Sequence, residues 1–164
     1  MILGAIALEG RTGHEAGRML LAKLYRKATG HTRPKIQVTD RGKPYFPDST
    51  WQFSISHTKN WAFCALAEYP VGIDAEEKDR DIDLRLADKI LSPGERAQYD
   101  AAEDKRIALL KFWVLKEAAA KLSGEGLRGY PNKTDFRLDD PRLMEAEGCI
   151  LAVLTENEGE NYAV

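Results

Sequence analysis

Apolar and polar positions recur along this chain with two different periods, and each change of period marks an element. Residues 2–8 are almost wholly apolar and read as a buried first strand. Over residues 15–28 the apolar positions, Met19, Leu20 and Leu24 with their neighbours, recur at helical spacing, and Gly30 supplies a stop. Residues 31–50 contain Pro34, Gly42, Pro44 and Pro47 and read as loop with a short strand at 35–38. The segment WQFSISH, 51–57, sets Trp51, Phe53 and Ile55 on one side against Gln52, Ser54 and Ser56 on the other. Residues 57–60 connect it to the apolar WAFCALA, 61–67, which is a hairpin signature. After Tyr69-Pro70, VGIDAE at 71–76 reads as another strand.

The second half is more helical. Residues 83–91 predict a short helix. Ser92-Pro93-Gly94-Glu95 offers an N-cap serine, a proline at the first helical position and a glutamate closing a capping box. Residues 104–122, rich in Ala, Leu, Lys and Glu, predict the longest helix, ended by Gly124. Strand-like runs follow at 136–138, 150–154 and 162–164. The pattern is α+β, each half offering a helix and strands.

Composition narrows the function classes. The chain has 164 residues, enough for one real core, and 43% of them are hydrophobic, which excludes a disordered chain. Lys plus Arg total 24 against 26 Asp plus Glu, so bulk charge gives no grip on nucleic acid. The longest apolar run, 61–67, falls far short of the ~20 residues of a spanning helix. The apolar start has no basic segment before it and closes on Glu9, so it reads as a strand and not as a signal peptide. Cys64 and Cys149 each sit in a strand-like apolar run and read as buried free thiols, which points to the cytoplasm.

Four short segments carry candidate chemistry. In a strand, Asp74 and Glu76 share a face with Cα atoms ~7 Å apart. Oxygen-only ligands of that kind suit Mg2+; the alternative is a pair of solvated edge residues in the acidic run that continues through Glu77, Asp79, Asp81 and Asp83. Trp113, Glu117 and Lys121 share one helix face at i, i+4 and i+8. There Glu117 is a possible third carboxylate and Lys121 a possible phosphate partner, or the two are a surface ion pair. Ser56 and His57 close a strand where a loop can present a hydroxyl and an imidazole to a ligand, but as sequence neighbours they point to opposite faces, a poor start for a hydrolase triad. Arg41-Gly42-Lys43-Pro44-Tyr45 fixes a lysine beside a rigid proline. No nucleophile elbow, P-loop, dinucleotide fingerprint or zinc-type Cys/His spacing occurs.

In order, G-K-P at 42–44, F-S-I-S-H at 53–57, G-I-D-A-E at 72–76 and F-W-V-L-K-E-A-A-A-K at 112–121 resemble the 4′-phosphopantetheinyl transferase family, in its two-lobed (Sfp-type) branch. The resemblance covers about residues 42–127, and the chain looks like an unusually short member. It implies a 4′-phosphopantetheinyl transferase-like fold of two similar α+β lobes related by a pseudo-twofold, with the active site in the cleft between them. The lobes would be residues 1–73 on the coenzyme A side and 74–164 with the metal site and catalytic helix, together one globular unit.

The implied activity, of the holo-acyl-carrier-protein synthase type, moves the phosphopantetheine arm of coenzyme A onto a serine of an acyl or peptidyl carrier protein. It requires Mg2+, with Mn2+ an alternative, and releases adenosine 3′,5′-bisphosphate in service of fatty acid, polyketide or nonribosomal peptide synthesis. Asp74, Glu76 and Glu117 match the family's metal carboxylates, and Lys121 matches its diphosphate lysine, a candidate proton donor to the leaving group. Ser56 and His57 match residues at the coenzyme A phosphates, and Lys43 and Pro44 a pair lining the nucleotide pocket. Glu117, directly or through a water on the metal, is the candidate base. The expected partners are coenzyme A and an apo carrier protein docking near 84–102, with no nucleic acid, no membrane and a monomeric state. Val114 stands where the family has Ser or Thr, and its basic cluster for the 3′-phosphate is reduced to Arg11, His14 and Arg18. The alternatives are a non-catalytic coenzyme A or carrier-binding module of the same descent and a plain α+β interaction domain.

Overall fold

The protein is described by a computed structural model over residues 1–126 and 135–156. Its elements are β1 (Ile2–Ala7), α1 (Gly13–Thr29), β2 (Gln37–Val38), β3 (Pro44–Tyr45), β4 (Gln52–His57), β5 (Trp61–Ala67) and β6 (Val71–Glu77). A 3-10 turn (Leu84–Leu86) follows, then α2 (Ala87–Ile90), α3 (Pro93–Ala101), α4 (Lys105–Ser123), β7 (Leu143–Ala146) and β8 (Cys149–Thr155). The strand expected at 162–164 lies outside the described residues.

Two antiparallel three-stranded sheets carry the fold, in the orders β1-β5-β4 and β6-β8-β7, with β2-β3 a separate small hairpin. Helix α1 covers the first sheet and α4 the second. The apolar runs are unbroken because the central strands are buried on both faces. In β5, Cys64 and Leu66 pack with Leu20, Leu21 and Leu24 of α1, while Phe63, Ala65 and Ala67 pack with Val71, Ile73, Leu151 and Val153 of the second sheet. In β8, Ile150, Ala152 and Leu154 turn to α4. Both cysteines are free and buried, as the sequence indicated. Among the described residues no helix is long and apolar enough to cross a membrane.

Caps at Ser92, Gly30 and Gly124 fall where the pattern predicts, while α1 starts two residues before the expected 15, at a Thr12 cap. Thr12 and Ser92 each accept from the backbone N–H three residues on, and Glu15 and Glu95 return the bond to complete two capping boxes. Gly30 and Gly124 end α1 and α4 in the left-handed conformation.

Three expectations change. The helix at 83–91 is a 3-10 turn followed by a single α-turn, because Leu91 and Ser92 turn extended ahead of Pro93. No strand forms at 136–138; the N–H groups of Phe136 and Leu138 donate instead to the side chains of Glu95 and Gln98 on α3. Strand β7 was not expected; it pairs with β8 across Glu147-Gly148, both at positive φ, a turn pair weaker as a sequence signal than Asn-Gly.

A buried ion pair joins α3 to α4. Glu95 Oε2 and Lys116 Nζ are 2.7 Å apart, at 0% and 3% side-chain exposure. Glu95 also accepts from the N–H groups of Ser92 and Phe136, so both carboxylate oxygens are occupied. Removing one member of such a pair typically destabilises by about 3–5 kcal/mol, because the other charge stays buried.

Candidate active site

Helix α4 lies unusually close to β6, and Gly72 permits it. A Cβ on Gly72 would stand 2.1 Å from the carbonyl oxygen of Ala118 and 2.6 Å from the nitrogen of Leu122. That contact is two residues before Asp74 on the strand, and on the helix Ala118 and Leu122 directly follow Glu117 and Lys121. The result is one cavity of about 420 Å³ whose lining includes Asp74, Glu76, Trp113, Glu117 and Lys121 together with Ser56, His57 and Arg80.

Each carboxylate is held differently. Asp74, 5% exposed, accepts at Oδ1 from Lys121 Nζ at 2.7 Å and from the Ser56 hydroxyl at 2.8 Å, while its buried Oδ2 has no hydrogen-bond partner among the described residues. Glu76 accepts at Oε1 from Trp113 Nε1 at 3.1 Å and from Arg80, whose guanidinium also lies 5.8 Å from the centre of the Trp113 ring. Burial pushes the Glu76 carboxyl above its ordinary value and Asp74 adds to this, against Arg80 and Trp113. Burial likewise raises Glu117, helped by the charges of Asp74 and Glu76 and opposed by Lys121 and Arg80. Three carboxylates thus converge on two cations.

Glu117 and Lys121 also line a second cavity, of about 290 Å³, together with Arg41, Lys43, Pro44 and Phe53. Lys43 Nζ donates to the Leu122 carbonyl at 2.5 Å, crossing the C-terminal end of α4, and burial pulls its pKa down. On the other side, His57, Glu76 and Arg80 border a third cavity of about 600 Å³ with Thr58, Lys59 and Glu77. The His57 ring stands against the N-terminus of α1, where a Cβ on Gly13 would come within 2.3 Å of it. Glu77 Oε1 accepts from Thr58 Oγ1 and from the backbone and side-chain nitrogens of Asn60, each at 2.9 Å, which ties the β4–β5 turn to β6.

Of the residues picked from sequence, Asp74, Glu76, Glu117, Lys121, Ser56 and His57 therefore meet in one cavity, and Lys43 and Pro44 lie in the adjoining one. Arg80 is not marked by the sequence, and Glu77 reads there only as part of an acidic, solvated run. Four residues after Glu76, Arg80 is at a spacing that means nothing once the strand has ended.

A sequence model of the 4′-phosphopantetheinyl transferase superfamily matches residues 70–161. The chain belongs to that superfamily. A 4′-phosphopantetheinyl transferase of Bacillus subtilis is 33% identical over 137 residues, 80% of this chain and 60% of its own. Those of Aneurinibacillus migulanus and Bacillus pumilus are 34% and 35% identical over 94 and 95 residues, 56% of this chain in each case. The chain spans 39% to 60% of the length of these three phosphopantetheinyl transferases. The superfamily match begins just before β6 and so takes in Asp74, Glu76, Glu117 and Lys121, while Lys43, Pro44, Ser56 and His57 precede it.

Proposed function

We propose that the protein transfers the 4′-phosphopantetheine arm of coenzyme A to a serine of an acyl or peptidyl carrier protein, with Mg2+ as cofactor and adenosine 3′,5′-bisphosphate as product. The observation that carries this reading is the convergence of three carboxylates and Lys121 on one cavity that adjoins the Lys43–Pro44 cavity. Residues 1–73 serve as the coenzyme A side and 74–164 as the metal and catalytic side, in the family's pseudo-twofold arrangement.

Among the described residues no three side chains form a ready-made metal cluster. The donor set still suits a hard divalent cation: all donors are oxygens, Asp74 keeps a buried oxygen with no partner among the described residues, and burial with mutual repulsion raises the pKa of Glu76 and Glu117. Asp74, Glu76 and Glu117 would hold it. When bound, Mg2+ supplies positive charge that stabilises the oxygens of the reacting diphosphate.

The chain's own groups account for the remaining steps. Glu117, directly or through a water, accepts the proton of the carrier serine as that oxygen attacks the phosphorus next to the pantetheine arm. The bond from that phosphorus to the bridging oxygen breaks, and adenosine 3′,5′-bisphosphate leaves. Lys121, already 2.7 Å from Asp74, carries the charge and the proton that the leaving phosphate needs. Lys43 and Pro44 flank the nucleotide, and His57 at the N-terminus of α1 faces an anionic group.

Coenzyme A should therefore stabilise the protein when Mg2+ is present. At a concentration 100-fold above Kd the gain is about 2.7 kcal/mol, which raises the melting temperature by roughly 5–10 °C. Lys121→Ala should remove most of the shift. A melting temperature unmoved by saturating coenzyme A would contradict the assignment.

A further inference from the structure

Strands β4 and β6 are edge strands of different sheets, and serine hydroxyls join them. Ser54 Oγ accepts from the Ile73 N–H at 3.1 Å, and Ser56 Oγ accepts from the Ala75 N–H at 3.2 Å. The two serines are equally buried, at 6% and 5% exposure. They differ in that Ser56 also donates, at 2.8 Å, to Asp74 Oδ1 and lines the carboxylate cavity, whereas Ser54 lines the adjoining Lys43–Pro44 cavity.

A hydroxyl has one hydrogen to give. In Ser56 that hydrogen goes to a carboxylate, a lone pair takes the Ala75 N–H, and the side chain is almost wholly enclosed, so it is poorly placed to serve a phosphate group. Its orientation is fixed from the backbone of β6 itself, one residue beyond the carboxylate it holds. With Oδ1 engaged by Ser56 and Lys121, the carboxylate is turned so that Oδ2 has no partner among the described residues.

We infer that Ser56 is a positioning residue: anchored on the Ala75 N–H, it holds the Asp74 carboxylate so that Oδ2 stays available to a divalent cation. This rests on the metal-dependent transferase reading above. It makes Ser56 a partner of the cation site and not a contact of coenzyme A, and leaves anion recognition at that strand end to His57.

Ser54 supplies the control, because it makes the same bond across the seam without touching a carboxylate. Mn2+ binding to the coenzyme A-free protein, followed by titration calorimetry, should weaken about tenfold or more in Ser56→Ala. In Ser54→Ala it should stay within about twofold of wild type, with a comparable loss of urea resistance. At saturating Mg2+, where a weakened cation site no longer limits coenzyme A binding, KM for coenzyme A should be unchanged in Ser56→Ala. In an Asp74→Asn background, Ser56→Ala should have no further effect on Mn2+ binding, since the hydroxyl acts through that carboxylate.

Wild-type Mn2+ affinity in Ser56→Ala together with a raised KM for coenzyme A would overturn the inference and restore Ser56 as a substrate contact. Equal weakening by Ser54→Ala and Ser56→Ala would also overturn it, reducing both to a seam. A wild-type protein that binds no Mn2+ would overturn the metal reading itself, an outcome distinct from either.

Discussion

Glu117→Gln removes transfer activity and at the same time raises the melting temperature of the metal-free protein at neutral pH. The first effect follows from the proposed role: loss of a positioned general base reduces the rate by about 10²–10⁴-fold. The second follows from the site's electrostatics. Burial and the neighbouring Asp74 and Glu76 hold the Glu117 carboxyl above its ordinary pKa, so the folded state binds its proton more tightly than the unfolded state does. Such a group contributes stability that is fully present below the ordinary glutamate value and lost as pH rises through the raised one. At neutral pH the ionised side chain is therefore a burden in the absence of a cation, and glutamine relieves it. The difference in melting temperature between Glu117→Gln and wild type should be small near pH 4 and grow through the pH window above it. Saturating Mg2+ should abolish the advantage. A variant no more stable than wild type at pH 7 would contradict the crowding of charge described here.

Gly72→Ala separates the helix from the strand. The added methyl would meet the backbone of α4, at Ala118 and Leu122, and no side-chain rotation can make room. Either α4 lifts or β6 bends, and Asp74 parts from Lys121 in both cases. Overpacking of this kind costs about 1–3 kcal/mol, with more expected where the clash is with backbone. Against a total stability of about 5–15 kcal/mol the change is large, and urea denaturation should show a clearly lowered midpoint. Transfer activity should fall even under conditions where the variant is fully folded. A wild-type midpoint and wild-type activity would mean that α4 does not approach β6 as closely as Gly72 permits.

Much of this was legible in the chain because it is periodic. The spacing of two placed Asp74 with Glu76, and the spacing of four placed Trp113, Glu117 and Lys121 on one face, and both groupings stand in the structure. The capping box at Ser92, and the stops at Gly30 and Gly124, are local, so four or five residues suffice to read them. What periodicity could not show is pairing across the fold. Nothing near Glu95 announces that Lys116 will neutralise it in the core, since the capping box already explains the glutamate. Alternation put Ser56 and His57 on opposite faces of β4, but that Ser56 meets Asp74 depends on how two separate sheets meet. Phe136 and Leu138 have strand-like side chains whose N–H groups are taken by α3 instead.

The central claim is that this chain carries phosphopantetheine from coenzyme A to a carrier. Mass spectrometry of apo acyl and peptidyl carrier proteins, each incubated with the protein, coenzyme A and Mg2+, tests it most directly. At least one carrier should gain the mass of a single phosphopantetheine on its serine, with none gained when Asp74→Ala replaces the wild type. Carriers of every class left at their apo mass, under conditions where the protein is folded and binds coenzyme A, would contradict it.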